Sequence, residues 1–242
     1  MAFLYAFSLA LLLGCLINLF TYYSSEYYSQ THIGFFKMWR DKGRYGEWMI
    51  YTKLKTLRKQ GTLFLFNLYL PIQNKETIEV DMVVITHQGL FVIESKNYSG
   101  HITGKYGDED WTQEFKNTEG KVVYSTRFYN PIKQNQVHTN CLRTGLSLKC
   151  PAWSFVVFGD RADIDKVRYS MPYLCVTTTA EVCDEVKRAA KGRAKRLSGK
   201  EVTALYKALY PYTQPSAKTK KKHIQYVKTR KEKKNVQKSK SR

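Results

Sequence analysis

At 242 residues, 43% hydrophobic and 14% aromatic, the chain can build one sizeable core, which excludes a wholly disordered protein. A formal charge of +20 points to polyanionic partners, either nucleic acid or an anionic membrane face. Five cysteines, odd in number and without a Cys-x-x-Cys pair, argue against a disulfide frame or a zinc site. The charge is unevenly placed: residues 211–242 hold twelve Lys or Arg against Glu232 alone, so this tail supplies +11 and leaves +9 for the rest.

Residues 2–20 carry no charge, and the first charged side chain is Glu26. A helix of that length matches the ~30 Å hydrocarbon core of a bilayer. Phe20, Tyr22, Tyr23, Tyr27 and Tyr28 follow where an interfacial aromatic belt would lie. A cleaved signal peptide calls for a positive n-region and a small-x-small site, and neither is evident. Leu12-Leu13-Gly14-Cys15 resembles a lipoprotein processing site, again without the positive n-region. An uncleaved anchor over 2–24 is the preferred reading. Lys37, Arg40, Lys42 and Arg44 then place the body of the protein in the cytoplasm.

Residues 43–60 read as a helix, with Glu47, Ile50, Tyr51, Leu54 and Leu57 on one stripe. Glu47 on that stripe has two explanations. It is either an acid favoured by the helix dipole or a carboxylate aimed into a site below. Residues 62–70 form a strand ended by Pro71, and Gln73-Asn74-Lys75-Glu76 is a polar loop. Two apolar runs follow, Glu79–Ile85 and Leu90–Lys96, joined by Thr86-His87-Gln88-Gly89 as a hairpin. A two-residue loop at His87-Gln88 sets Thr86 opposite Gly89 and Asp81 opposite Glu94, whereas a bulge at Gly89 shifts this by one. Facing Cβ atoms lie ~4.5–5.5 Å apart, repulsive for bare carboxylates but suited to two ligands of one cation. Asp81, Glu94 and Lys96 are costly to bury unless something pairs them.

Residues 98–104 continue as a turn and short strand, and Trp111 covers the sheet. Asn130-Pro131 starts a helix, with Asn as N-cap and Pro at the first position. Gln134, Val137, His138 and Cys141 share a stripe there, and a polar Gln and His on it read first as hydrogen-bonded core residues. Residues 153–158 and 174–178 are strands, and helices are expected near 180–194 and 200–210. The Lys-rich chain after Pro211 is expected to be disordered.

Gly46-Glu47, Glu79-Val80-Asp81, Phe91 through Gly100, Trp111 and Asn130-Pro131-x-x-Gln134-x-x-x-His138, in that order, resemble the nuclease-related (NERD) domain. That domain is grouped with the PD-(D/E)xK nucleases. The resemblance covers roughly residues 40–160. Val80 stands where the superfamily name has proline, and Ser95 sits between Glu94 and Lys96 where relatives often carry an apolar residue. The resemblance implies an α/β restriction-endonuclease-like core, a mixed central sheet flanked by helices, here preceded by one transmembrane helix. The implied organisation is an anchor at 2–24, a core at 40–160, an extension packed on it at 161–210 and a basic disordered tail at 211–242.

The resemblance further implies Asp81 and Glu94 as direct ligands of Mg²⁺, with Mn²⁺ as an alternative, and Ser95 as a ligand through its carbonyl. Lys96 would hold and help deprotonate the attacking water or neutralise developing charge, Glu47 would act through water, and Gln134 would position a phosphate or water. Two functions of different class follow. One is a membrane-anchored Mg²⁺-dependent nuclease acting on nucleic acid, DNA in preference to RNA. The other is a non-catalytic membrane tether whose basic tail binds nucleic acid or anionic lipid.

Overall fold

A computed structural model describes residues 1–72, 76–145, 147, 150–194 and 197–240. Its helices are α1 (Ala2–Tyr23), α2 (Glu26–Thr31), α3 (Phe35–Arg40), α4 (Lys42–Leu54), α5 (Pro131–Gly145), α6 (Val182–Ala190), α7 (Gly199–Leu209) and α8 (Ala217–Lys240). Its strands are β1 (Leu63–Pro71), β2 (Thr77–Thr86), β3 (Gly89–Lys96), β4 (Gly100–Lys105), β5 (Asp110–Lys116), β6 (Val122–Tyr129), β7 (Ala152–Phe158), β8 (Ala162–Arg168) and β9 (Leu174–Thr178). The expected loop at Gln73–Lys75 lies outside the described residues.

The architecture is mixed α/β as expected, with two mixed sheets flanked by helices. The larger has the order β1-β2-β3-β7-β9, antiparallel from β1 to β3 and parallel from β3 to β9. The smaller has the order β6-β5-β4-β8. Strands β5 and β8 are mostly polar and charged, and the apolar start of β6, Val122-Val123-Tyr124, is exposed, so none of the three reads as a buried strand. Because β8 and β9 complete the two sheets, the folded core continues past residue 160.

Helix α1 stands clear of the body ahead of Tyr22, and its mean hydropathy over Phe3–Tyr23 is 2.2. It is long and apolar enough to cross a membrane. Of the five aromatic residues expected as a belt, Phe20 and Tyr23 are exposed at its end, but two are not available to a membrane. Tyr22 and Tyr27 are fully buried and pack on Trp48, with Tyr27 also against Phe66, so they belong to the main core. The helix expected over 43–60 is α-helical to Leu54, tightens to 3₁₀ geometry over Lys55–Gln60, and ends at Gly61, whose φ of 79° suits glycine.

The tail expected to be disordered is helical over Ala217–Lys240. That stretch contains neither Gly nor Pro, and its Lys, Arg, Gln and Ala are good helix formers. Ser216 Oγ accepts from the Thr219 N–H at its start, and His223 ties the helix to the edge of β2.

The hairpin turn falls at His87-Gln88, with Thr86 paired to Gly89 and the ladder running to Met82 opposite Ile93. The Gly89 bulge alternative is therefore excluded. The next step outward on both strands is Asp81 and Glu94. On its other side, β2 pairs with β1 at Phe66–Met82 and Leu68–Val80, skipping Asn67 and Asp81. Asn67 has φ 51°, a left-handed conformation rare inside a strand. Phe64, Phe66, Met82 and Val84 point into one core, whereas Leu68, Leu70, Ile78 and Val80 point into the other. The hairpin thus exchanges faces at the Asn67–Asp81 step, and Asp81 sits at the crossing.

Candidate active site at the end of strand β3

Helices α4 and α5 meet the C-terminal end of β3, the end at which open α/β sheets form crevices. On one side α4 packs closely: a Cβ at Gly46 would lie 2.8 Å from Asn97 Cβ and 2.9 Å from Ser95 Oγ. Asn97 Nδ2 donates to the Lys42 carbonyl and fixes the helix start over the strand. Glu47 is next on α4, and the Tyr27 hydroxyl donates to its Oε2 at 2.9 Å. The carboxylate on the helical stripe is therefore held by a tyrosine from α2.

On the other side, Asn135 anchors α5 by donating from Nδ2 to Val92 O, Phe155 O and Ser154 Oγ. Asn130 accepts from the Ile132 N–H at the helix start and donates to three carbonyls, those of Lys105, Tyr106 and Asp108. The Asn-Pro motif is thus structural, and it aims Gln134 and His138 at the strand end.

Glu94 is 1% exposed. Lys96 Nζ donates to Glu94 Oε1 at 2.5 Å and to Gln134 Oε1 at 3.1 Å. His138 Nδ1 lies 3.3 Å from Glu94 Oε2, yet neither atom makes a hydrogen bond. The Ser95 N–H donates to Asp81 Oδ2 at 2.8 Å, bending Asp81 over the end of β3. Of the residues expected from sequence, Asp81, Glu94, Ser95, Lys96 and Gln134 are joined by these bonds. Glu47 approaches from the α4 side and is coupled to Asp81 through its charge.

Three acids, Glu47, Asp81 and Glu94, crowd around one lysine, and only Glu94 is held in its charged form. Burial pushes Asp81 well above the usual carboxylate range, and the charges of Glu94 and Glu47 add to this. Burial also pushes Glu47 up to about 8, against the Tyr27 hydrogen bond. Burial opposes ionisation of Glu94 too, but Lys96 and then His138 hold it below its usual value. Lys96 is disfavoured by burial and still raised by Glu94 and Asp81, so it keeps its proton at neutral pH.

Sequence reasoning missed several neighbours. Tyr27 left no local signal, because its role appears only when α2 folds onto α4. His138 shares the stripe of Gln134, where the pattern alone points to a hydrogen-bonded core residue, and the structure sets it beside Glu94. A cavity of about 340 Å³ opens on Asp81, Glu79, Gln134 and His138, and α8 closes its far side with His223, Tyr226 and Arg230. His223 Nδ1 donates to Thr77 O at 2.9 Å and its Nε2 lies 3.6 Å from Glu79 Oε2, which also places Glu79 beside the site. Lys96 is reached from a second cavity of about 480 Å³, shared with Lys42, Asn97 and Gln113.

Among the described residues no three His, Cys, Asp or Glu side chains already form a metal cage. The donor chemistry nevertheless fits a hard divalent cation. Glu94 Oε2 is a buried carboxylate oxygen without a hydrogen bond, and the neighbouring Asp81 is pushed towards its neutral form by burial and by the charges of Glu94 and Glu47, a penalty that a cation would relieve. Two carboxylates, a carbonyl and waters make the kind of site Mg²⁺ takes.

Residues 42–159 match the nuclease-related domain family. It is also similar to an uncharacterized protein of Bacillus anthracis, 24% identical over 196 residues that cover 77% of this chain and 84% of the relative. No solved structure matches.

Proposed function

We propose that the protein is a membrane-anchored, Mg²⁺-dependent nuclease that hydrolyses phosphodiester bonds in nucleic acid, DNA in preference to RNA, with its folded body in the cytoplasm. The observation that carries this reading is Lys96, half-buried between Glu94 and Gln134 with Asp81 bonded to the adjoining amide. The match of residues 42–159 to the nuclease-related domain family and the outwardly apolar α1 support it.

In this reading Asp81, Glu94 and the Ser95 carbonyl hold Mg²⁺, with Mn²⁺ as a substitute. When bound, the cation lowers the pKa of a water and draws charge from the scissile phosphate. Lys96, protonated at neutral pH, orients the water and neutralises charge developing on the phosphate, which favours an electrostatic role over that of a base. The Gln134 side-chain NH₂ is left to position a phosphate oxygen, since its carbonyl oxygen serves Lys96. Glu47, protonated at neutral pH without the cation, is poised to lose that proton and act through water when positive charge arrives.

A second reading has its own support. The twelve basic residues of 211–242, partly carried on α8, suit a tether that grips nucleic acid or anionic lipid without cutting. The full chain in detergent, mixed with DNA in chelator and then given Mg²⁺, separates the two. Cutting on return of the metal supports the nuclease. Salt-sensitive binding with intact DNA supports the tether.

A further inference from the structure

Exposed large apolar side chains are found on α1, on β6 and on the short helix α3. Helix α3 has two unlike sides. Met38 faces inward and is buried, while Phe36 and Trp39, three residues apart, are 62% and 59% exposed. Lys37 and Arg40 alternate with them and are exposed as well. Nothing in the folded body explains two bare aromatic rings on a six-residue helix.

Their position relative to α1 is fixed. The Tyr22 hydroxyl donates to Ile33 O at 2.6 Å, and the Phe35 N–H donates to the Tyr23 hydroxyl at 3.3 Å. The Tyr22 and Phe35 rings meet edge to face with centroids 5.4 Å apart. Two hydrogen bonds and a ring contact therefore strap the start of α3 to the last turn of α1. Wherever α1 leaves the hydrocarbon, α3 must lie at that level.

We infer that Phe36 and Trp39, flanked by Lys37 and Arg40, seat the folded body on an anionic bilayer surface beside the exit of α1. The chemistry is complementary: aromatic rings favour the headgroup boundary, and basic side chains meet anionic lipid. The inference rests on the anchored reading of α1 and adds an orientation to it. A helix strapped at both hydrogen bonds leaves the body little freedom to swing away from the surface.

The chain's tryptophans make the test direct. Of its four, Trp48, Trp111 and Trp153 are buried, and Trp39 alone is exposed. The full chain is reconstituted in vesicles of phosphatidylcholine and phosphatidylglycerol, and membrane association is read by flotation. Tryptophan emission is then measured with lipids brominated high on the acyl chain. The inference expects quenching that disappears in Trp39→Phe and weakens when Lys37 and Arg40 are both changed to Glu. A chain that floats with the vesicles but shows no Trp39 quenching overturns the seating face and leaves the anchor intact. A chain that does not float overturns the anchor, and the seating face with it.

Discussion

Asp81, Glu94 and Lys96 were legible in the sequence because charges inside Val- and Ile-rich strands are anomalous without a partner. What the sequence withheld was how they are held. The left-handed backbone at Asn67, the Tyr27 hydroxyl on Glu47 and the approach of His138 to Glu94 depend on tertiary placement. Two predictions belong at this scale. Removing Lys96 leaves Glu94 buried and unpaired, a change that costs about 3–5 kcal/mol. Urea unfolding of Lys96→Ala should show that loss, and Glu94→Gln in the same chain should restore part of it.

The second concerns pH. The Glu47 carboxyl sits at about 8 when folded against an ordinary value of 4.5, so between those pH values the folded chain holds a proton that the unfolded chain sheds. Stability without metal is therefore greatest below the unfolded value and falls as pH rises through 8. Asp81, also raised, acts in the same direction. Thermal melts in chelator should show a melting temperature falling from pH 5 to pH 8, with a shallower slope in Glu47→Gln. Equal slopes would remove Glu47 from the buried acid cluster.

Among the elements, the hairpin was readable to the residue, because Thr-His-Gln-Gly between two apolar runs leaves few turn geometries. The register question it raised is settled by the Thr86–Gly89 pair. The Asn-Pro helix start was equally clear. The smaller sheet was not, since β5 and β8 are mostly polar and the apolar start of β6 is exposed; Trp111 of β5, stacked on Phe158 of β7, joins that sheet to the core. Helix α8 was misread because lysine-rich composition is shared by solvated helices and disordered tails. Its docking at His223 gives it a consequence for binding. Ending the chain after Gln214 should weaken DNA binding and flatten its dependence on salt concentration, as fewer phosphates are neutralised. Filter binding over a salt series measures the slope, and an unchanged slope would place α8 away from nucleic acid.

At the scale of the whole molecule, the apolar helix and the folded body are one piece. Tyr22 and Tyr27 fill the core, and Gln30 brackets the backbone of β1 through Phe64 O and the Phe66 N–H. The sequence suggested a boundary between anchor and domain near residue 24, because composition changes there and packing cannot be seen. A chain starting at Asn18 should therefore keep a cooperative unfolding transition, whereas one starting at His32 should lose several kcal/mol through two missing buried aromatic residues, on the order of 3–5 each. Circular dichroism melts distinguish the outcomes, and equal stability would mean that α1 and α2 are appended to the body.

The central claim is that the buried acids at the end of β3 hold a cation for phosphodiester cleavage. Its most direct test is single-turnover cleavage of DNA in Mg²⁺ by the full chain and by Asp81→Asn, with DNA binding measured in parallel. The account predicts that Asp81→Asn binds DNA as the native chain does and cuts no faster than the metal-free reaction. Cleavage by Asp81→Asn at the native rate, or no metal-dependent cleavage by the native chain, would contradict it.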